Sequence, residues 1–298
     1  ACADAKEDYI KHLLRTVSVR FDGMRIALDC ANGSASATAK TLFEALGADV
    51  VVLSTEPNGE NINKDCGSTH MGALCDYVKT HDDIIGGFAF DGDADRCLAV
   101  DETGKQIDGD QIIAAFAKHM KANGTLKKDT AVLTVMSNFG MRAFSKKEGI
   151  SLATTAVGDR YVLEEMLKNG YNLGGEDSGH IILSDYANTG DGQLTAIQFL
   201  QIAKQTGLAF SAIAAAMTKS PQVMRSVHAS AQARSEYKEH PAVQAAIKEA
   251  ESALGESGRV LVRASGTEPL IRVMLEGTDE EKIKMYCDAI CRIIEESF

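Results

Sequence analysis

Apolar and polar positions alternate between two rhythms along most of the chain. Short apolar runs predict strands over 24–30 (MRIALDC), 50–53, 84–90 (IIGGFAF), 131–136 and 152–157. The stretches between them predict helices over 4–17, from 34 to 46 with Gly47 as a C-cap, and over 72–79, 108–121, 140–147 and 159–168. Residues 98–101 and 105–107 flank Glu102-Thr103-Gly104 as a hairpin. Residues 172–184 hold a strand broken by a Gly-rich turn, and Gly190-Asp191-Gly192 then opens a long helix to about residue 205. Strands alternating with helices predict a parallel, doubly wound sheet, here twice over. Beyond Pro221 the order changes: strand 223–228, helix 242–253, strands 260–263 and 271–275, helix 280–295. The expected architecture is two doubly wound α/β domains, 1–107 and 108–219, followed by a small α+β domain, 220–298.

Composition narrows this picture only a little. A length of 298 residues suits two or three domains, and 45% apolar with 24% charged residues is ordinary for a globular protein. No stretch approaches the ~20 apolar residues of a membrane span. Net charge is −11, from 31 Lys and Arg against 42 Asp and Glu. That argues against nucleic acid as a partner but leaves room for a local anion site. Ala1-Cys2-Ala3-Asp4 is neither a signal nor a transit peptide. Cysteines at 2, 30, 66, 75, 97, 287 and 291, with no CxxC, read as reduced thiols of a cytoplasmic protein. Cys287 and Cys291 read as a helical core pair, because no His or Cys follows at ligand spacing.

The chemistry gathers in loops. Asp91-Gly92-Asp93-Ala94-Asp95-Arg96 directly follows the apolar run 84–90. Asp91, Asp93 and Asp95 can point to one side of a non-helical segment, and three like charges so close call for a divalent cation of the Mg2+, Mn2+ or Ca2+ type. A solvated acidic turn is the alternative. Asp91, Asp93, Asp95 and Glu102 also fall at EF-hand positions, but Arg96 stands where that loop needs glycine and a strand precedes it. Gly174-Gly175-Glu176-Asp177-Ser178-Gly179-His180 offers Glu176, Ser178 and His180 to sugar hydroxyls, and reads equally as a strand-connecting turn. Arg263-Ala264-Ser265-Gly266-Thr267-Glu268-Pro269, with Arg272 beyond, concentrates donors suited to a phosphate, or forms a tight turn between two strands. It lacks P-loop spacing. Gly158-Asp159-Arg160-Tyr161 opens a helix whose N-terminus is a further candidate anion site, with Asp159 as a plain N-cap the preferred reading.

Together, DGDADR (91–96), TAVGDRYVLEEM (155–166), GGEDSGHI (174–181), TGDG (189–192) and RASGTEPLIRVM (263–274) resemble the α-D-phosphohexomutase superfamily, in its order and over nearly the whole chain. The second and third motifs resemble its glucosamine-phosphate branch more than its mannose- or glucose-phosphate branches. The resemblance implies two α/β domains of phosphohexomutase type plus the α+β domain. It implies Mg2+ on Asp91, Asp93 and Asp95, and Arg96 as a catalytic residue beside the reacting phosphate. It implies Glu176, Ser178 and His180 at the sugar, His180 also in a catalytic part, and Arg263, Ser265, Gly266, Thr267 and Arg272 on the non-reacting phosphate. The implied reaction interconverts glucosamine 6-phosphate and glucosamine 1-phosphate, through a phosphoserine and glucosamine 1,6-bisphosphate, towards amino-sugar nucleotides and cell-wall precursors. Asp177 and Ala264 depart mildly from the family pattern. A larger departure is that no Ser-His-Asn-Pro occurs, neither at Ser34 or Ser36 nor at Ser68. The expectation is therefore a piece lacking the N-terminal phosphoserine domain and inactive alone, with a fragment of the mannose- or glucose-phosphate branch, or a non-catalytic phosphosugar-binding protein, as the alternatives.

Overall fold

A computed structural model describes residues 4–265 and 268–298. They form two compact units, one of residues up to 137 with 141–218, the other of 138–140 with 219–298. In the first unit α1 (Ala5–Leu14) precedes β1 (Arg25–Asp29), α2 (Ala39–Ala45), β2 (Asp49–Leu53), α3 (Gly72–Lys79), β3 (Gly86–Phe90), β4 (Cys97–Asp101), β5 (Gln106–Ile107) and α4 (Gly109–Ala122). The sheet order is β2-β1-β3-β4-β5. β1 runs parallel to β2 and β3, β4 returns antiparallel to β3, and β5 is antiparallel to β4. All of β3 is buried, as a strand covered on both faces requires. A second round follows with β6 (Thr130–Thr134), α5 (Gly140–Glu148), β7 (Ser151–Thr155), α6 (Asp159–Asn169), β8 (Leu173–Gly175) and β9 (Ile181–Leu183). Its order, β7-β6-β8-β9, repeats the first pattern, with β9 antiparallel.

Both sheets are thus mixed, where the alternation of elements predicts parallel ones. The reason is loop length: 91–96 and 176–180 are far shorter than the roughly dozen residues a parallel crossover needs. The helix expected from 34 to 46 is also interrupted. A 3-10 turn at Ser34–Ala37 gives way to α2 after Thr38.

The two sheets share one hydrophobic cluster. The long helix α7 (Gly192–Thr206) follows the second sheet but packs against β3 and β4 of the first. Phe199 on α7 meets Phe88 of β3 edge-on, with centroids 6.0 Å apart. Phe210, on the short helix α8 (Phe210–Ala214), lies 5.1 Å from Phe199 and 5.4 Å from Phe88. Edge-on and tilted pairs of this kind strengthen a core beyond their buried area. The same helix α7 ties back to the start of the chain, where Gln198 Nε2 donates to the Thr16 carbonyl at 2.9 Å.

The second unit is an antiparallel sheet of β10 (Gln222–His228), β11 (Gly258–Ala264) and β12 (Leu270–Gly277), ordered β10-β12-β11. Helices α9 (Ala231–Glu236), α10 (Pro241–Leu254) and α11 (Glu280–Ser297) complete it. Ile283, Cys287, Ile290 and Ile294 lie along one face of α11 and are buried in the core. Cys287 is therefore a core residue, and every described cysteine is a free thiol. Among the described residues no helix is long and apolar enough to cross a membrane.

Candidate functional site

In the first unit the acidic loop joins β3 to β4, and residues 176–180 join β8 to β9. The two loops therefore hold corresponding places in two sheets of matching order. They are also paired with each other. Arg96 and His180 form an antiparallel bridge, and the Cys97 N–H donates to the Gly179 carbonyl at 3.0 Å.

The acidic loop is tightly folded. The Ala94 N–H donates to the Asp91 carbonyl at 3.1 Å, and Ala94 itself takes a left-handed conformation (φ 61°). The Ser34 N–H holds the Gly92 carbonyl at 2.9 Å. One carboxylate oxygen from each of Asp91, Asp93 and Asp95 lies within 4.8 Å of the others. Burial first, and then the neighbouring charges of Asp95 and Asp93, push the Asp91 carboxyl up to about 6. Asp95 Oδ1 is buried and has no hydrogen-bond partner. Three hard oxygen donors at this spacing, on carboxylates of which one carries a buried and unsatisfied oxygen, fit a divalent cation of the Mg2+ class. Glu102 is not in the cluster. Its carboxylate accepts from the N–H and hydroxyl of Ser211 on α8, so the EF-hand pattern has no geometry behind it.

Arg96 places its Nε 3.7 Å from Asp91 Oδ2 and 3.9 Å from Asp95 Oδ1, and no hydrogen bond engages that nitrogen. The Arg96 backbone N–H, by contrast, donates to Asp91 Oδ1 at 3.2 Å. In the second loop Glu176 Oε1 accepts the Gly158 N–H at 3.0 Å. Gly158, not Asp159, is the N-cap of α6, and Asp159 is its first residue. The carboxylate of Glu176 thus sits at the positive end of that helix. Ser178 Oγ is buried and unpartnered. His180 is 4% exposed and uses both ring nitrogens within the protein: Nδ1 lies 3.0 Å from Asp95 Oδ2, and Nε2 accepts the Gly190 N–H at 3.1 Å.

Sequence reasoning missed the wall beside the acidic loop. Tyr9 OH donates to Asp191 at 2.9 Å, across 182 positions. Burial, with Asp191 beside it, holds that phenol well above its usual range. Asp191 in turn caps α7 through the Leu194 N–H. Gln193 Nε2 donates to Thr38 Oγ1 at 2.7 Å. Tyr9, Thr38, Asp191 and Gln193, with Asp93 and Asp95, line a cavity of about 300 Å³. Nothing local in the sequence marks Tyr9, which reads as one more residue on a surface helix.

In the second unit Arg263 and Arg272 are direct cross-strand partners of β11 and β12. Like charges opposite one another destabilise a sheet unless an anion joins them. The Ser265 N–H donates to the Leu270 carbonyl at 2.8 Å, and Ser265 Oγ accepts the Glu268 N–H at 3.2 Å. Glu268 also accepts from Arg272 at 2.5 Å. Gly266 and Thr267 lie outside the described residues. Arg234 of α9, which sequence reasoning missed, braces the turn by donating to the carbonyls of Ser265 and Glu268 at 3.4 and 3.3 Å.

Sequence models of the phosphoglucomutase/phosphomannomutase family match three successive segments: alpha/beta/alpha domain II over residues 7–104, alpha/beta/alpha domain III over 108–220, and the C-terminal domain over 225–293. Phosphoglucosamine mutase of Clostridium novyi is 50% identical over 99% of the chain, and that of Caldicellulosiruptor saccharolyticus 49% over 98%. The chain spans 66% and 65% of those relatives' own lengths. A phosphoglucomutase/phosphomannomutase family protein of Burkholderia thailandensis has a similar structure (TM-score 0.79, 21% identity, covering 98% of this chain and 64% of that one). So does N-acetylphosphoglucosamine mutase of Aspergillus fumigatus in complex with GlcNAc-6P and magnesium (TM-score 0.77, 20% identity, covering 97% and 64%). At such identities the structures speak for the fold alone, while the family models and the two curated relatives speak for descent. The chain belongs to the phosphoglucomutase/phosphomannomutase family.

Proposed function

We propose that the chain is the metal-, sugar- and phosphate-binding part of a phosphoglucosamine mutase, interconverting glucosamine 6-phosphate and glucosamine 1-phosphate. The observation that carries this reading is the pairing of the acidic loop with the loop bearing Glu176 and Ser178. In this reading a divalent-cation site lies beside a loop whose Ser178 hydroxyl is buried and unpartnered and whose Glu176 carboxylate is an acceptor, a set suited to a sugar. The names of relatives at about half identity support the amino-sugar substrate. Asp91, Asp93 and Asp95 hold Mg2+, whose chemistry when bound is to offset charge on a transferring phosphoryl group. Arg96, next to the acidic cluster, faces the reacting phosphate in this reading. Glu176 and Ser178 bind sugar hydroxyls, and Arg263, Ser265, Gly266, Thr267 and Arg272 bind the non-reacting phosphate. The division into domains 1–107, 108–219 and 220–298, and a cytoplasmic location, belong to the same reading.

The 298 residues contain no Ser-His-Asn-Pro, so the phosphoryl carrier in this reading is a serine loop outside them. Calorimetry should find saturable, Mg2+-dependent binding of glucosamine 6-phosphate to the purified chain. Phosphorus NMR with glucosamine 1,6-bisphosphate present should find no conversion. Absence of binding overturns the substrate assignment, and turnover by the chain alone overturns the external carrier.

A further inference from the structure

His180 has no nitrogen left for a substrate. Its Nε2 accepts the Gly190 N–H at 3.1 Å, so the ring proton sits on Nδ1 and is donated to Asp95 Oδ2 at 3.0 Å. The other polar groups facing the ring are too distant to compete. Asp159 Oδ2 is 3.9 Å from Nε2, and Arg96 Nε is 3.9 Å from the opposite oxygen of Asp95. Gly190 makes this arrangement possible, since a Cβ there would lie 2.6 Å from the imidazole and 2.7 Å from the Asp95 carbonyl. The backbone bridge between Arg96 and His180 fixes where the ring starts.

We propose that His180 is a positioning residue for the metal site rather than a proton-transfer group. By holding Asp95 Oδ2, it fixes the Asp95 carboxylate, whose Oδ1 is buried and without a hydrogen-bond partner, in the cluster with Asp91 and Asp93. The loop after β8 therefore builds the cation site of the loop after β3. A histidine that orients a ligating carboxylate acts as outer-sphere partners generally do, and loss of such a partner weakens metal binding about 10–100-fold. The inference rests on the reading of Asp91, Asp93 and Asp95 as metal ligands.

Two isosteric variants separate the ring's two bonds. The amide nitrogen of His180→Asn falls near the Nδ1 position and keeps the donor to Asp95. His180→Gln reaches the Nε2 position and keeps only the Gly190 contact. With Mn2+ as probe, followed by EPR and calorimetry, His180→Gln and His180→Ala should bind at least about tenfold more weakly than the unaltered chain, and His180→Asn within about threefold. Nitrogen-15 NMR of the unaltered chain in EDTA should show the Nδ1–H tautomer, a readout that needs no variant to fold. An Nε2–H tautomer overturns the inference. So does Mn2+ binding that all three folded variants share with the unaltered chain, which would leave the metal reading intact. Failure of the unaltered chain to bind Mn2+ overturns the metal reading itself, and this inference with it.

Discussion

Gly33 tests how closely the acidic loop is fitted to its neighbours. Its backbone is extended (φ −110°, ψ −158°), a conformation open to any residue, so a substitution there meets only the question of space. An alanine Cβ would stand 2.3 Å from the Gly92 carbonyl oxygen and 2.8 Å from the Gly92 carbonyl carbon and Cα. All three are backbone atoms, and no rotamer change clears them. To reach even the 3.0 Å below which real Cβ contacts essentially never fall, the two segments must part by about 0.7 Å. That stretches the 2.9 Å hydrogen bond from the Ser34 N–H to the Gly92 carbonyl beyond useful length. Overpacking costs about 1–3 kcal/mol, and the lost hydrogen bond adds about 1. Gly33→Ala should therefore lose about 2–4 kcal/mol, lowering a urea midpoint by about 0.7–1.3 M for a slope of roughly 3 kcal/mol/M. Mn2+ affinity should fall as well, because Gly92 separates Asp91 from Asp93. Gly72→Ala is the internal control. Gly72 opens α3, and a Cβ added there would meet nothing within 4 Å, so the same chemical change should be neutral or stabilise by up to about 1 kcal/mol. Equal midpoints for the two variants would refute the reasoning.

Two other outcomes follow from the charges. Because Asp91 is raised from 3.8 to about 6 in the folded protein, the native state holds its proton more readily than the unfolded chain. Its contribution therefore lowers stability as pH rises between about 4 and 6, and is flat outside that window. Urea titrations in EDTA across pH 4.5–7 should show a slope that Asp91→Asn reduces; an unchanged slope would count against the buried acidic cluster. Arg263→Ala removes one of two directly opposed guanidinium groups, so it should leave stability unchanged or slightly higher while lowering calorimetric affinity for inorganic phosphate by tenfold or more. A stability loss above about 1 kcal/mol, or unaltered phosphate binding, would contradict the anion reading of that turn.

Much of the fold was legible in local pattern. The helix expected over 72–79 is found at Gly72–Lys79, and the one expected over 159–168 at Asp159–Asn169. Both have enough turns for an amphipathic face to show. Helices α8 and α9 were not foreseen, since five or six residues are too few to display a period. The antiparallel return of β4 and β9 was hidden for another reason: strand direction depends on connection length, while the apolar run reads the same either way. At the candidate site, the acidic triplet and the paired arginines could be seen as chemistry before any geometry was known. The role of Asp159 was misread, because Gly158 can cap α6 once Glu176 supplies an acceptor from 18 positions away.

By itself the sequence determined which groups are available: three carboxylates on one short loop, a glycine-rich polar loop and an arginine-bearing turn, each at the end of a strand. Tertiary structure decided what those groups do to one another. Asp95 and His180 are 85 positions apart, and Tyr9 and Asp191 are 182 apart. They meet because two sheets of matching order share one core and α7 crosses from the second to the first. No local pattern encodes such meetings. They follow from closing long chain segments at an entropic cost that only the shared buried surface offsets.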